Sequence, residues 1–438
     1  MIISVITLFP ELYTAFCGTS LIGKAVEKNK LRFDIRSMFK VCSPKERVDG
    51  PTFGHNAGMI IKPEVIERAV DAHENDHGRS VRIFFSPRGK KLTQDVVRDI
   101  AQRAQEVGHL TLCAARYEGI DARAEEKYAD YIISLGDYVL MGGDLPAQIT
   151  IEAITRYVSG VVGDPESVER DSFSGAFVDC PAYTAPAVWQ GLEVPPILRS
   201  GDHAKIEAWC KETAVHTTVF NHFDWLRTHQ VSKKDSALVA RELPHHYVAL
   251  MHDEILLPQD RIGTTSVTSL DIHDIARSAT TYGFTGFFIV TPLVDQQNIV
   301  QILLDFWKKG DGVTYNPDRH RALASTCITD SYEKTIQSIT EKEGVAPIVV
   351  ATSASIHPGS NAITYYDQSK VWAHKRPVLF LLGTGRGLSP QVLDRADYLL
   401  VPLAGYANFN HLSVRSAAAI IFDRWLGINP QKIISDET

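Results

Sequence analysis

The turn Arg116-Tyr117-Glu118-Gly119-Ile120-Asp121 has a counterpart near the other end of the chain, Gly383-Thr384-Gly385-Arg386-Gly387-Leu388. Each turn follows an apolar stretch and precedes an Ala-Asp-Tyr triplet, at 129–131 and at 396–398. Fourteen positions after each triplet a leucine begins an apolar helix, so the triplets, like the leucines, are 267 positions apart. Glycine lets backbone amides approach a ligand closely because it has no Cβ. The repeat therefore predicts two related ligand-binding domains.

The composition is that of a globular protein with more than one domain. At 438 residues the chain is too long for one ordinary core, and 44% hydrophobic with 22% charged residues is an ordinary balance. No apolar run approaches the roughly 18 residues that span a bilayer, so no membrane partner is expected. Residues 2–9 read as a buried strand and lack the basic region and cleavage site of a signal peptide.

Charge and cysteine spacing narrow the classes of function. A net charge of −7 argues against binding polyanions over the whole surface, so nucleic acid must contact local basic patches such as Arg88-Gly89-Lys90-Lys91. The six cysteines lie far apart without a CxxC pair, which predicts reduced thiols and no metal site. We therefore expect a cytoplasmic protein.

Alternating apolar strands and amphipathic helices predict an α/β fold with parallel sheets covered by helices. The alternation fails between about 165 and 245, where helical stretches dominate. We expect three parts: 1–165, a linker and small helical domain at 166–245, and 246–438. Thr93 is expected to cap a helix, and residues 86–89 to form a turn. The predicted strands are 2–9, 81–85, 109–114, 130–135, 247–251, 286–290, 348–351 and 378–382, and the predicted helices are 93–106, 147–158, 204–210, 272–282, 294–308 and 412–425.

Four ordered motifs carry a family resemblance in the first half. They are Ser86–Leu92 (SPRGKKL), Arg116–Asp121 (RYEGID), Gly136–Ala147 (GDYVLMGGDLPA) and Asp171–Phe173 (DSF). In this order and spacing they closely resemble TrmD, the bacterial tRNA (guanine-N1)-methyltransferase family, over residues 1 to about 230. Two departures stand out. Ala114-Ala115 replaces the family's Cys-Gly, and His55 and Asn56 replace glycines of a glycine-rich loop.

The resemblance implies a trefoil-knotted SPOUT domain in which three loops hold S-adenosyl-L-methionine. It also implies that two subunits of a homodimer build each active site, and that the substrate is tRNA with guanine at position 37. Matching positions in the motifs assign cofactor contacts to Pro87, Ala115, Tyr117, Glu118, Gly119, Leu135, Gly136, Asp137, Tyr138, Val139, Leu140, Gly142, Gly143 and Pro146.

The same resemblance assigns two catalytic residues, Asp171 and Arg156. Guanine N1 carries a proton and becomes nucleophilic only when that proton leaves. A carboxylate within hydrogen-bond reach can remove it, and Asp171 matches the family's base. Negative charge then develops on guanine O6, where a guanidinium stabilises it, and Arg156 matches that role. No metal-ligating residue is predicted, and the sequence leaves open whether a divalent ion assists the reaction.

The second half, roughly 246–428, resembles SPOUT-type RNA methyltransferase domains that occur behind TrmD. Its motifs include Leu270–Arg277 (LDIHDIAR), Thr314–Arg319 (TYNPDR) and Asn410–Ala417 (NHLSVRSA). The resemblance implies a second site for S-adenosyl-L-methionine. The residues implied are Gly383, Thr384, Gly385, Leu403 and Leu412 at the cofactor, with Arg277, Asn316 and Arg319 as candidates for RNA contact or catalysis.

The sequence leaves two interpretations of the second half open. This half is either an enzyme or a catalytically silent module that binds RNA or forms the dimer. A dinucleotide-binding oxidoreductase is disfavoured, because the loop at 383 reads Gly-x-Gly-x-Gly and not Gly-x-Gly-x-x-Gly, and it lies late in the chain. The target nucleotide of this half cannot be read from the residues.

Overall fold

The computed structural model describes residues 1–54, 58–163, 168, 171–229, 231–357, 361–407 and 409–429. It divides into two compact units, Met1–Gly175 and Ala176–Thr438, which we refer to as the first and the second unit. In the described residues, no helix is both long enough and apolar enough to cross a membrane.

The first unit is built on a parallel sheet. Its strands are β1 Ile2–Thr7, β2 Arg32–Ser37, β3 Asp49–Pro51, β4 Met59–Ile61, β5 Val81–Lys91, β6 His109–Cys113 and β7 Tyr131–Ser134. Its helices are α1 Thr14–Cys17, α2 Ser20–Glu27, α3 Pro63–His77, α4 Gln94–Val107, α5 Ala122–Tyr128 and α6 Asp144–Thr155. Five strands form the sheet in the order β2-β1-β6-β5-β7, and every neighbouring pair is parallel. β3 and β4 form a separate antiparallel pair.

The second unit has a larger parallel sheet. Its strands are β8 Val188–Trp189, β9 Leu192–Glu193, β10 His246–Met251, β11 Ile255–Leu256, β12 Ile262–Gly263, β13 Gly286–Val290, β14 Thr326–Thr329, β15 Ile348–Thr352, β16 Ala362–Ile363, β17 Val378–Gly383 and β18 Tyr398–Leu400. Its helices are α7 His203–Asn221, α8 Phe223–Leu226, α9 Lys233–Glu242, α10 Ser269–Thr281, α11 Val294–Lys308, α12 Gly312–Tyr315, α13 Pro317–Leu323, α14 Tyr332–Glu343, α15 Gln368–Trp372, α16 Pro390–Asp394 and α17 Val414–Leu426. Seven strands form the sheet in the order β14-β13-β10-β17-β15-β18-β16.

The two sheets share one topology. The five central strands of the larger sheet, β13-β10-β17-β15-β18, follow the same connectivity as β2-β1-β6-β5-β7 in the smaller one. All neighbouring pairs in both sheets are parallel. This confirms the predicted α/β class with parallel sheets.

Both faces of the second sheet are buried, as expected for parallel strands covered by helices. Along β10, Val248 and Leu250 pack into one apolar cluster, whereas Tyr247, Ala249 and Met251 pack into another. This alternation follows from the two-residue period of a strand. The continuous apolar sequence of the strand is therefore needed on both faces.

The helical segment before residue 246 packs on the second sheet. Val215 and Val219 of α7 are fully buried in the same cluster as Trp372. Arg227, just after α8, donates to the carbonyls of Asp423, Arg424 and Gly427 and so satisfies the C-terminal end of α17. Residues 176–245 thus belong to the second unit, while the three-part division of the chain stays a prediction.

Several local predictions need correction. The turn expected at 86–89 lies within β5, as an excursion between Phe85 and Lys90, which both pair with Ile133. Thr93 stands at the N-cap of α4, but its side chain makes no capping hydrogen bond. The predicted helix 204–210 extends as α7 to Asn221. The small hairpin of β8 and β9 lies where no strand was expected.

A buried histidine links the second sheet to its helices. The indole N–H groups of Trp372 and Trp425 both donate to Nε2 of His246, at 3.2 and 3.1 Å. This nitrogen must therefore be the unprotonated acceptor of a neutral ring. Burial lowers the pKa of His246 to about 3, and burial likewise lowers the pKa of His252 to about 4.

Because of these two histidines, we expect the second unit to become less stable to unfolding in acid. In the unfolded chain both imidazoles take up a proton near pH 6.5, whereas in the folded chain they stay neutral to about pH 4. Above about pH 7 the two states bind equal numbers of protons at these sites. As pH falls from 6.5 to 5, the free energy of unfolding should decrease by about 3 kcal/mol.

Urea unfolding followed by tryptophan fluorescence measures this effect, because all six tryptophans lie in the second unit, at 189, 209, 225, 307, 372 and 425. His246→Gln keeps an acceptor for the indoles and should remove about half of the pH dependence. A stability that stays constant between pH 7 and pH 5 would contradict the prediction.

Candidate active site

Three loops of the first unit meet at the carboxyl edge of its sheet. They are the excursion at 86–89 within β5, residues 114–121 after β6 and residues 135–143 after β7. These strands are neighbours in the order β6-β5-β7, and parallel strands end at a common edge. The structure therefore brings together the segments that contain the first-half residues predicted at the cofactor.

Two of these loops touch through glycine. The backbone N–H of Gly143 donates to the carbonyl of Ala115 at 2.7 Å. A Cβ at Gly143 would lie 2.8 Å from the nitrogen of Ala115, and a Cβ at Gly142 would lie 2.4 Å from Cδ of Arg116. Glycine is required at 143 because the backbones approach so closely, whereas a Cβ at 142 would first meet the Arg116 side chain. The resulting cradle of backbone groups fits a ligand that lies against main chain, as expected for the predicted cofactor.

The turn at 116–121 has the conformation of a ligand loop. Tyr117 has φ 58° and Gly119 has φ 103°, so the chain passes twice through the left-handed region. Tyr117 and Glu118 are exposed, whereas Ala115 is buried in an apolar cluster. The backbone N–H of Glu118 donates to the carbonyl of Met59 at 2.9 Å. His55 and Asn56, the departures from the family, lie outside the described residues.

The loop after β7 is mostly solvent-exposed. Asp137 lies 3.4 Å from the Lys91 ammonium, with 96% of its side chain exposed. Leu135 and Gly136 are half-buried, and Pro146 is buried at the start of α6. Besides Asp137, the exposed side chains of this loop and of the excursion are those of Pro87, Arg88, Tyr138, Val139, Leu140 and Met141.

A buried carboxylate that sequence reasoning missed fixes this edge. Asp144 is 2% exposed and accepts hydrogen bonds from Thr7 at 2.6 Å and from Tyr13 at 3.2 Å. Arg116 contacts its other oxygen with Nε at 2.8 Å and with a terminal nitrogen at 2.7 Å. Burial, followed by the nearby Asp144 charge, raises the pKa of Tyr13. Asp144 lies in the motif Gly136–Ala147, but the neighbouring residues do not distinguish it from a solvent-exposed aspartate at the start of a helix.

The two predicted catalytic residues are in contact. Arg156 is the C-cap of α6, and its guanidinium pairs with the Asp171 carboxylate. Both side chains are partly exposed, at 43% and 38%. The other carboxylate oxygen accepts from the backbone N–H of Ser172 at 3.2 Å. The structure thus joins residues 15 positions apart, while their catalytic roles stay predictions.

The second unit contains a cavity of about 840 Å³ at the corresponding edge of its sheet. Its wall is formed by the turn after β17, by the loop after β18 and by the start of α17. All second-half residues predicted at the cofactor line it: Gly383, Thr384, Gly385, Leu403 and Leu412. A Cβ at Gly383 would lie 2.5 Å from the nitrogen of Leu388, so this turn also requires glycine.

The turns of the two units have matching backbones. Gly385 has φ 58° and Gly387 has φ 105°, close to the values at Tyr117 and Gly119. The equivalent residues in the turns are therefore 268 positions apart, whereas the following Ala-Asp-Tyr triplets are 267 apart. The spacing of 267 positions found for the triplets and the leucines therefore does not hold for the turns. The second repeat is one residue shorter between its turn and its triplet.

The remaining second-half candidates lie elsewhere. None of Arg277, Asn316 and Arg319 is among the described residues that line the cavity. Asn316 caps α13 by accepting from the backbone N–H of Arg319 at 2.9 Å. The Arg319 guanidinium lies over the Trp307 ring, 4.8 Å from its centre. These contacts give Asn316 and Arg319 structural roles, while their candidacy for RNA contact or catalysis stays a prediction.

One cluster in the first unit has metal-ligand residue types. Asp34, His73 and His77 place a ligand atom each within 4.8 Å of one another. Arg36 donates to both Asp34 oxygens, however, so the carboxylate is already neutralised by a cation. Although burial opposes it, hydrogen bonds from Arg36 and His77 lower the pKa of Asp34 to about 2. The geometry is that of an ion-pair network between β2 and α3.

Comparisons with known proteins find matches to both halves of the chain. Residues 1–228 match the family model described as tRNA (Guanine-1)-methyltransferase TrmD, and residues 245–427 match one described as SAM-dependent RNA methyltransferase. A protein named tRNA (guanine-N(1)-)-methyltransferase from Nitratidesulfovibrio vulgaris is 38% identical over 97% of this chain and 99% of its own length. One of the same name from Oleidesulfovibrio alaskensis is 37% identical over the same shares.

Shorter relatives match only the first part of the chain. A tRNA (guanine-N(1)-)-methyltransferase from Thermus thermophilus is 40% identical over 49% of this chain and 87% of its own length. Among solved structures, a tRNA (m1G37) methyltransferase from Aquifex aeolicus covers 48% of this chain and 87% of its own, with 30% identity and a TM-score of 0.40.

Proposed function

Because this chain belongs to the TrmD family of tRNA (guanine-1)-methyltransferases, we propose that it methylates N1 of the guanine at position 37 of tRNA. Family membership confirms the resemblance inferred from the four motifs, and with it an S-adenosyl-L-methionine-dependent methyltransferase that acts on tRNA guanine N1. The observation that carries the proposal is the glycine cradle at the carboxyl edge of β6, β5 and β7.

The three loops at this edge would hold the cofactor. When bound, S-adenosyl-L-methionine supplies a methyl group activated by a sulfonium sulfur. Gly142 and Gly143 keep the main chain of the third loop against Ala115. Asp144 anchors Arg116, and through it the second loop, by buried hydrogen bonds. The protein's contribution is therefore to hold both loops in one conformation before ligand binds.

Asp171 and Arg156 have different roles in activating the guanine. The Asp171 carboxylate takes the N1 proton as general base. The Arg156 guanidinium faces the guanine O6, where negative charge develops. Their mutual contact supports this assignment because one substrate edge presents N1–H beside O6, and a paired carboxylate and guanidinium can meet both atoms.

The length of α6 supports a site shared between two subunits. The cofactor loop precedes the helix and Arg156 follows it, and its 12 residues correspond to about 18 Å. A base must approach within about 3 Å of the proton that it removes. We therefore propose a homodimer in which Asp171 and Arg156 of one subunit serve the cofactor loops of the other.

Exposed apolar side chains near the third loop provide a surface for that dimer. Val139 and Met141 are 86% and 91% exposed, and Leu145 and Ile149 of α6 are also exposed. Burying such a patch favours association. The proposal includes the trefoil knots, which rest on the family resemblance, and the cytoplasmic location, which rests on the spacing of the cysteines. Both stay predictions.

The second unit contains a second RNA methyltransferase domain, at 245–427. We propose that its cavity binds a second molecule of S-adenosyl-L-methionine. The alternative of a silent module is less well supported, because the five predicted residues all line one cavity and the turn at Gly383 repeats the first cradle.

Replacing guanine 37 of a tRNA transcript by adenine tests the function of the first unit. The purified chain should transfer a labelled methyl group to the guanine transcript and yield 1-methylguanosine in nucleoside mass spectrometry. The adenine transcript should lose this product, since it lacks the N1 proton and the O6 that Asp171 and Arg156 are proposed to meet. Equal formation of 1-methylguanosine from both transcripts would place the target elsewhere in the tRNA.

A further inference from the structure

The cavity of the second unit contains polar side chains beyond those that its glycine turn explains. Asp271, Arg415 and His252 all line it, and the resemblance assigned none of them a role. Asp271 and Arg415 lay within quoted motifs, but their residue types alone fit helix ends. Their mutual arrangement is visible only in the structure.

Asp271 is a buried carboxylate held from two sides. It lies in the first turn of α10 and is 8% exposed. Thr268 donates to one of its oxygens at 2.6 Å, and Arg415 of α17 donates to the other at 3.0 Å. Each oxygen of an ionised carboxylate can accept a further hydrogen bond. Asp271 is therefore fixed in orientation and still able to accept a proton at the cavity wall.

His252 presents a hydrogen-bond acceptor in the same wall. Thr384 donates its only hydroxyl proton to the carbonyl of Met251, so it accepts from Thr265. Thr265 has then used its proton, and Nδ1–H of His252 must donate to it. This chain of hydrogen bonds leaves Nε2 as the unprotonated nitrogen.

That nitrogen is unsatisfied. His252 is 1% exposed, and Nε2 has no hydrogen-bond partner among the described residues. A buried acceptor without a partner costs about 1–3 kcal/mol. The chain of hydrogen bonds from His252 ends at Thr384 within the predicted cofactor turn. The conformation of this turn is therefore fixed by buried hydrogen bonds as well as by glycine.

We propose that this cavity is a second methyl-transfer site in which Asp271 is the general base. The acceptor is an RNA atom that carries a proton, either a ring imino nitrogen or a ribose hydroxyl oxygen. The bond from the acceptor to the methyl carbon forms as the carbon–sulfur bond breaks, the sulfur keeps the electron pair, and the acceptor's proton passes to Asp271. This inference rests on the proposed binding of S-adenosyl-L-methionine to the cavity.

The chain offers a matched control for Asp271. Asp274 lies on the same helix and is 3.6 Å from Arg415, but its side chain is half exposed and it is not among the described residues that line the cavity. Asp271→Asn and Asp274→Asn therefore remove the same charge beside the same arginine. Only the first removes a proton acceptor from the cavity.

The test uses full-length chains that also carry Asp171→Asn, incubated with total RNA from a strain lacking residues 246–438 of this chain. Nucleoside mass spectrometry should show a methylated nucleoside that persists with Asp171→Asn. Adding Asp271→Asn should reduce its formation by about 10²- to 10⁴-fold. Adding Asp274→Asn should change it by no more than about twofold. The nucleoside itself distinguishes a base from a ribose acceptor.

Calorimetric binding of S-adenosyl-L-methionine and the melting temperature separate the possible failures. Asp271→Asn should leave cofactor binding unchanged and the chain folded at the assay temperature, although the lost ion pair with Arg415 lowers the melting temperature. Transfer that survives Asp271→Asn, or no Asp171-independent product despite cofactor binding in the cavity, would overturn the inference. Absence of cofactor binding in the cavity would overturn the proposed function of this unit and the inference with it.

Discussion

Replacing Asp171 with asparagine should reduce methyl transfer to guanine N1 by about 10²- to 10⁴-fold, the usual contribution of a general base. Asparagine keeps the size and one oxygen of the side chain, but it cannot take the N1 proton at neutral pH. Single-turnover transfer to tRNA measures the chemical step. Cofactor affinity, measured by calorimetry, should stay unchanged because Asp171 lies beyond the helix that follows the cofactor loop.

Asp76→Asn is a suitable control for this variant. Asp76 is also an exposed carboxylate paired with an arginine, Arg36, and it lies near the C-terminal end of α3. It should alter transfer by no more than about twofold. Full activity of Asp171→Asn would refute the base assignment.

Mixing two impaired variants tests whether the active site is shared between subunits. Asp171→Asn chains mixed with Gly143→Ala chains should regain part of the activity, because a heterodimer contains one site with both an intact base and an intact cradle. No recovery in a verified heterodimer would argue for a site within one subunit.

Alanine at Gly143 or at Gly383 should each weaken one of two cofactor sites. At Gly143 the new Cβ would lie 2.8 Å from the backbone nitrogen of Ala115, and at Gly383 it would lie 2.5 Å from that of Leu388. Backbone atoms cannot rotate away as a side chain can, so the turn must shift. Overpacking of this kind costs about 1–3 kcal/mol, or about 5- to 150-fold in cofactor affinity.

Isothermal titration with S-adenosyl-L-methionine measures how many sites bind the cofactor and how tightly each site binds it. The native chain should bind two molecules per chain, and each variant should keep one site at native affinity. Gly405→Ala is the control, because no heavy atom lies within 4 Å of its added Cβ. If Gly383→Ala leaves both sites intact, the cavity of the second unit is not a cofactor site.

Local patterns predicted the regular elements well. The strand 286–290 and the helix 294–308 occur with the predicted bounds. Strands such as β2 were missed, because Arg32–Ser37 mixes charged and apolar residues and pairs only through its neighbour β1. The excursion at 86–89 was read as a turn because Pro and Gly mark turns, whereas sheet pairing resumes two residues beyond Arg88.

The candidate sites were predicted only in part. The motifs located the glycine turns, because glycine itself marks positions such as Gly143 and Gly383 where a Cβ would not fit. Asp144 and Asp271 were passed over as helix starts. Their partners Thr7 and Arg415 lie 137 and 144 positions away, and no local pattern records such a pairing.

The sequence by itself determined the repeat, the α/β class and the family, because glycine turns and apolar periodicity act over a few residues. Tertiary structure alone decided that Arg156 meets Asp171, that Asp144 anchors Arg116, and that Nε2 of His252 has no hydrogen-bond partner in the described part of the chain. Each of these depends on which side chains the parallel strands bring to a common edge. Their hydrogen bonds are set by distance and burial in the folded chain, which the order of residues does not record.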